Sequence, residues 1–166
     1  MEFIKRFEDR APVYDISHRK PVIDRFSLVG GRDEELKQET GRFFSNVYEI
    51  YMYAAMLGLK NDYRIPLEGA QTRDFNKIKF WQPNELVRFI FMALLAKSEI
   101  DLNTLEELEE TDVEREITKI KNLLEEYANG GFDLIHSKVN ESPYFFENEY
   151  CFLELLDASP NAFQNR

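Results

Sequence analysis

Residues 112–131, DVEREITKIKNLLEEYANGG, decide the fold predicted for this chain. The apolar residues of this stretch recur at helical spacing and form one stripe: Ile117, Ile120, Leu123, Leu124 and Tyr127. Thr111 and Glu114 have the spacing of a capping box at its start. Gly130 and Gly131 favour a left-handed exit at its end. The pattern predicts a charged amphipathic helix that stops at the two glycines and buries Tyr127.

Two longer helices are predicted upstream of this stretch. Ser45 is suited to cap a helix that ends near Gly58 and Asn61, and the Ala54–Ala55 pair within it permits close approach of a neighbouring helix. Pro83 is suited to the first turn of a second helix, NELVRFIFMALLAKS. Because this second segment is nearly apolar all round, we expect it at the centre of the fold.

Shorter helical segments complete the predicted bundle. Charge and capping favour a helix start at Asp33. Three further short helices are expected within residues 101–110, 132–139 and 147–157, whereas residues 62–82 have the composition of a loop. The predicted fold is therefore mainly α, a compact bundle of about five or six helices.

The first 32 residues mix charge, aromatic residues and chain breakers without a clear period. Within them, Val13–Ile16 could form a short strand. We therefore expect an irregular N-terminal arm over residues 1–32, a helical domain over residues 33–160 and a frayed tail over residues 161–166.

Composition restricts the class of protein. The net charge of −10 disfavours phosphate backbones and anionic membranes as overall partners. The single cysteine, Cys151, lies among apolar residues and is typical of a buried, inert thiol in a reducing cytosol. The start of the chain does not resemble a signal peptide, and the apolar stretch at residues 86–96 is too short to span a bilayer. We expect a cytoplasmic protein without a membrane association.

No arrangement of residues predicts catalysis. His18 and His136 lack further ligands at zinc spacing, and His18, beside two basic residues, is expected at the surface. The acidic run from Glu106 to Glu116 could hold a metal ion in a small nuclease, but acidic helical runs are more often solvated faces. Phosphate-binding glycine loops and nucleophile elbows are absent from the sequence. We predict no enzyme, no cofactor, no metal ion and no small-molecule substrate.

One segment, residues 60–81, leans basic and interleaves cations with aromatic residues, a pattern that can grip a phosphate backbone or stack on bases. The candidate nucleic-acid-binding residues are Lys60, Arg64, Arg73, Lys77, Lys79 and Trp81. Acidic residues dilute the pattern, so a solvated loop with a few aromatic anchors is the alternative interpretation.

The N-terminal arm carries more apolar side chains than a floating segment tolerates. If the chain's own core cannot cover them, they should bury against a second copy or a partner subunit. The candidate partner-binding residues are Phe3, Phe7, Tyr14 and Phe26.

Two blocks of the sequence resemble one family. The first is Tyr48–Asn61, YEIYMYAAMLGLKN, followed by Arg64–Leu67, RIPL; the second is Leu123–Gly131, LLEEYANGG. In this order, over about residues 44–135, they resemble the small accessory proteins encoded beside bacterial DNA phosphorothioation (dnd) genes. The resemblance implies a role in a DNA-modification and phage-defence locus. It implies no established reaction and supplies no catalytic residues.

The leading hypothesis is a non-enzymatic accessory or adaptor protein of a bacterial DNA-modification or phage-defence system. It would act by binding a protein partner or by self-association, with DNA contact possible through residues 60–81. The alternative is a DNA-binding regulator that uses the same loop.

Overall fold

The structure is a computed structural model that describes residues 2–28, 43–101 and 103–158. The helix start expected at Asp33 and the tail expected over residues 161–166 lie outside the described residues. Within them, the chain forms α-helices joined by short irregular elements and one small sheet. The prediction of a mainly α fold with an irregular N-terminal segment is confirmed.

The described residues contain six α-helices: α1 (Glu2–Glu8), α2 (Asp24–Phe26), α3 (Val47–Lys60), α4 (Asn84–Lys97), α5 (Glu110–Glu141) and α6 (Cys151–Asp157). Two short strands, β1 (Val13–Asp15) and β2 (Thr72–Asp74), pair antiparallel with Tyr14 opposite Arg73. The expected strand near Val13 is therefore present. Its pairing anchors the loop of residues 62–82 to the N-terminal segment.

Helix α3 occupies the centre of the fold. It packs along α5, and every residue from Ile50 to Ala55 is buried. The expectation that α4 would be central was wrong, because Phe89 and Met92 on its outer side are 63% and 54% exposed. Apolar residues on both sides of a helix show that it could be buried, but a neighbouring element has to cover each side.

Helix α5 is longer than predicted. It runs for 32 residues through Gly130 and Gly131, so the predicted end at the glycines was wrong. The segment expected to form a separate helix at residues 132–139 is its continuation. The predicted capping box was also wrong: Glu109 occupies the N-cap, no side chain caps the helix, and Glu114 instead accepts hydrogen bonds from Arg6 and Arg10.

Three other boundaries differ from expectation. In place of a short helix over residues 101–110, the described part of this range has the 3-10 turn Leu105–Glu107 and the first residue of α5, Glu110. The last helix begins at Cys151, after the 3-10 turn Pro143–Glu147. Asn46, one residue later than expected, is the N-cap of α3; the Ser45 amide donates a hydrogen bond to the Glu49 carboxylate (2.7 Å), which secures the entry to the helix.

The described N-terminal residues pack onto the helices of the same chain. Phe3 and Phe7 contact the ring of Phe91 on α4, with centroid distances of 6.1 and 4.9 Å. Phe26 joins a cluster of rings at the other end, including Phe152, at a centroid distance of 5.1 Å. These contacts make the N-terminal segment part of one continuous core. Among the described helices, none combines the length and apolar character needed to cross a bilayer.

Candidate functional site

Three glycines allow α3, α5 and the turn after α3 to approach each other closely. A Cβ atom at Gly131 would overlap the Ala54 carbonyl of α3, and one at Gly130 would overlap the Tyr63 carbonyl of the turn. A Cβ atom at Gly58 would overlap the Tyr127 carbonyl of α5. The first sequence block, with Ala-Ala-Met-Leu-Gly at residues 54–58, and the second block, with Asn-Gly-Gly at residues 129–131, therefore form the two sides of one contact. Close backbone approach explains the glycines where a helix end was predicted.

Glu125, on the same stretch of α5, holds the start of β1. Its side chain is buried, and its Oε1 accepts hydrogen bonds from the Val13 amide (2.9 Å) and from Lys121 Nζ (2.8 Å). The Tyr51 hydroxyl of α3 donates to the Val13 carbonyl (2.9 Å). A buried carboxylate needs such partners to offset its desolvation. Val13 is thus fixed by α3 and α5 together.

Asn129, one turn further along α5, joins the turn after α3 to the N-terminal segment. Its Nδ2 donates to the Ile65 carbonyl (3.2 Å), so its Oδ1 faces His18 Nε2 at 3.1 Å. Because the amide oxygen can only accept, His18 must carry its proton on Nε2. Burial lowers the pKa of His18, which favours this neutral form.

His18 is 6% exposed, so its expected position at the surface was wrong. Its ring stacks on Phe132 and meets the ring of His136 edge-on, each at a centroid distance of 5.7 Å. Its Nδ1 is buried without a hydrogen-bond partner in the described part of the chain. In the same part of the chain, no group of three or more His, Cys, Asp or Glu side chains is arranged to hold a metal ion.

The turn that follows α3 is tied to α5 and α4. The Ile65 amide donates to the Glu126 carbonyl of α5 (3.0 Å). Asp62, which has a positive φ of 46°, accepts hydrogen bonds from Lys97 Nζ of α4 (2.8 Å) and from the Tyr127 hydroxyl (3.1 Å). These two bonds, the Lys97 bond most strongly, lower the pKa of the Asp62 carboxyl. Tyr127 is buried as predicted, with its hydroxyl directed to this turn.

A cleft of about 670 Å³ opens beside this turn, between the C-terminal end of α4, the segment that leads to α5, and α5 itself. Three apolar residues contribute to its lining: Ile100, Leu108 and Leu123. The charged lining residues are Arg64, Lys97, Glu99, Asp101, Glu116, Lys119 and Glu126. The cleft was not foreseen, because it forms only where the C-terminal end of α4, the segment after it and the face of α5 over residues 116–126 meet.

The candidate nucleic-acid-binding residues do not form one open surface of free cations. Lys79 and Lys77 both pair with Asp9, at 2.8 and 3.7 Å, and the bond from Lys79 is the main cause that lowers the pKa of Asp9. Arg64 pairs with Glu126 at 3.4 Å.

The remaining three candidates of this loop lie in different settings. Lys60 donates to the Leu156 carbonyl. Arg73 is exposed on β2. Trp81 is 1% exposed and donates to the Asn76 carbonyl (3.2 Å), so its indole belongs to the core.

The four candidate partner-binding aromatics lie in the core of their own chain. Phe3, Phe7, Tyr14 and Phe26 are all buried. Large apolar side chains that do reach the surface include Tyr150 and Leu153 at α6, and Phe89 and Met92 on α4. Sequence reasoning missed Phe89 and Met92 because the helix pattern alone indicated burial on every side. Their spacing of three residues, opposite Ile90 and Phe91, was the available signal of a second apolar face.

Comparison with known proteins connects these features to a family. A family model described as DNA sulphur modification system-associated protein 4 matches residues 32–161, which include both motif blocks and all of α3 to α6. The chain therefore belongs to this family, and the resemblance drawn from the two blocks is confirmed. No curated protein and no solved structure matches the chain.

Proposed function

We propose that this chain is a non-enzymatic accessory protein of a bacterial DNA sulphur modification system, and that it acts by binding another protein component of that system. Its family description supports the association with the system. A role in phage defence is part of the same proposal and is supported only by this association. The mode of action rests on one observation, the apolar outer face of α4.

The outer face of α4 contains three exposed apolar residues, Phe89, Met92 and Ala96, at successive steps of three and four residues, next to the exposed charged residues Glu85 and Arg88. This spacing places the three apolar residues in one line along the helix. The opposite side of α4, with Ile90, Phe91 and Leu94, is buried in the core. A helix with a second apolar line is suited to pack against a helix of another protein.

Protein association has more support than the alternative of a DNA-binding regulator. Four of the five candidate cations of residues 60–81 already bond to acceptors of this chain, and a phosphate backbone would have to compete with those bonds. The net charge of −10 adds a general repulsion.

The experiment is co-purification of the full chain with the modification proteins of its own system, expressed together. The double variant Phe89→Glu/Met92→Glu should lose the partner, because two charges would enter an apolar contact. Glutamate is a good helix former, so α4 should stay folded.

The matched control is Tyr150→Glu/Leu153→Glu. These residues have the same spacing and are 58% and 62% exposed, but they lie at α6. The control should retain the partner. Equal retention by both double variants would refute the role of α4, and light scattering on the purified chain would identify self-association as the alternative use of this face.

A further inference from the structure

We propose that the cleft at the C-terminal end of α4 binds a short basic segment of the partner protein, in which Lys or Arg side chains lie next to an apolar residue. The proposal rests on the proposed function, because it describes part of the same association.

The cleft has the size and lining of a site for such a segment. Its volume of about 670 Å³ lies within the range of roughly 300–1,000 Å³ found for ligand pockets. Leu123 of α5 lines the cleft as a buried residue, while Ile100 and Leu108, which lie on the segment between α4 and α5, line it as partly exposed residues. These side chains offer an apolar contact to one residue of an entering segment.

The charges that remain available in the cleft are negative. Its cations are each paired: Lys97 with Asp62, Lys119 with Glu116, and Arg64 with Glu126. Glu99 and Asp101 are exposed, and within the described residues neither forms an ion pair. An entering Lys or Arg would therefore meet two carboxylates without displacing an existing ion pair, although Asp101 Oδ1 already accepts hydrogen bonds from the backbone amide and the side chain of Asn103.

The segment between α4 and α5 strengthens the negative electrostatic potential of the cleft. Residues 98–109 contain five of the chain's 31 acidic residues and none of its 21 basic residues, whereas Glu110, Asp112 and Glu114 just beyond them pair with arginines. The C-terminal end of α4, which also lines the cleft, carries the negative end of its helix dipole. Such a field attracts cationic segments and raises their association rate.

The cleft also continues the outer face of α4. Ala96 ends the exposed apolar line of that face, and the next residues, Lys97 and Ser98, line the cleft. If a partner helix lies along α4, the partner residues that follow that helix would thus reach the cleft. This continuity favours a protein segment as the occupant.

The test measures binding of a fluorescein-labelled peptide of alternating Lys and Leu residues to the full chain by fluorescence anisotropy. We expect saturable binding that weakens with salt. The double variant Glu99→Gln/Asp101→Asn should bind about three- to tenfold more weakly, since it loses two exposed ion pairs. Asn at position 101 keeps an oxygen for the Asn103 amide, which now donates to Asp101 Oδ1 at 2.9 Å, so the turn should persist.

The matched control is Glu147→Gln/Glu149→Gln, which makes the same change in net charge with the same spacing at exposed positions away from the cleft. It should bind like the unmodified chain. Equal weakening in both variants would show non-specific attraction and overturn the proposal, as would the absence of binding at low salt. The co-purification test with Phe89→Glu/Met92→Glu decides separately whether the chain acts by protein association, so failure of the cleft is distinguishable from failure of the proposed function.

Discussion

The substitution Gly131→Ala distinguishes between two explanations of Gly130 and Gly131. In one they form a left-handed helix end, and in the other they permit close approach of neighbouring backbone segments. Helix propensity alone predicts that alanine stabilises an α-helix by about 1 kcal/mol relative to glycine. The new Cβ atom would, however, overlap the carbonyl oxygen, the carbonyl carbon and the Cα atom of Ala54. Overpacking typically costs about 1–3 kcal/mol, and backbone atoms yield less than a flexible side chain. We take the upper end of that range and expect a net loss of about 2 kcal/mol.

Urea denaturation followed by far-ultraviolet circular dichroism would measure this loss, and the thermal midpoint should fall by roughly 4–8 °C for a chain of this size. Asn140→Ala, at an exposed position of the same helix, is the control and should stabilise slightly. A glycine in a left-handed helix end would also resist alanine, so hydrogen exchange supplies the second measurement. Residues 132–139 should be protected as continuous helix. An unchanged or increased stability of Gly131→Ala would refute the close-packing argument.

Two further predictions concern the buried polar residues that join the N-terminal segment to α5. Asn129→Leu should lower the free energy of unfolding by about 2–4 kcal/mol, measured by urea denaturation, because it leaves His18 Nε2 buried without a partner and removes the hydrogen bond to the carbonyl of the partly buried Ile65. Since burial lowers the pKa of His18 in the folded state, the unfolded state binds more protons as the pH falls below about 6.5. The contribution of neutral His18 to the free energy of unfolding should therefore be complete above that pH. It should be lost as the pH falls from there through the lower pKa that His18 has in the folded state. His18→Gln should remove that part of the pH dependence in denaturation curves, and an unaltered curve would contradict the assignment to His18.

The helices were predictable where an apolar stripe is local. The stripe from Ile117 to Tyr127 predicted both the central part of α5 and the burial of Tyr127, because each residue's neighbours on a helix are set by spacing alone. The end of the same helix was not predictable in this way. A Gly-Gly pair serves equally as a left-handed exit or as a place for close approach, and only the position of Ala54 on another helix distinguishes the two.

The candidate site depends even more on distant contacts. His18 and Asn129 are 111 residues apart in the sequence, so the burial of the histidine has no local signal. Exposure of Phe89 and Met92 likewise depends on which side of α4 the other elements cover. The family resemblance was accessible from sequence because its motifs are short and contiguous, even though the structural role of those motifs was not.

The residues of the second family motif, LLEEYANGG at positions 123–131, stabilise the fold. A functional surface therefore has to be sought elsewhere on the chain. Glu125, Asn129, Gly130 and Gly131 are all buried, and each is accounted for by a contact to another part of the same chain. None of these four residues is exposed at the surface. Substitutions there should act through stability, whereas substitutions on the outer face of α4 or in the cleft should alter association in a chain that remains folded. This difference explains how motifs can identify a family without revealing what it binds.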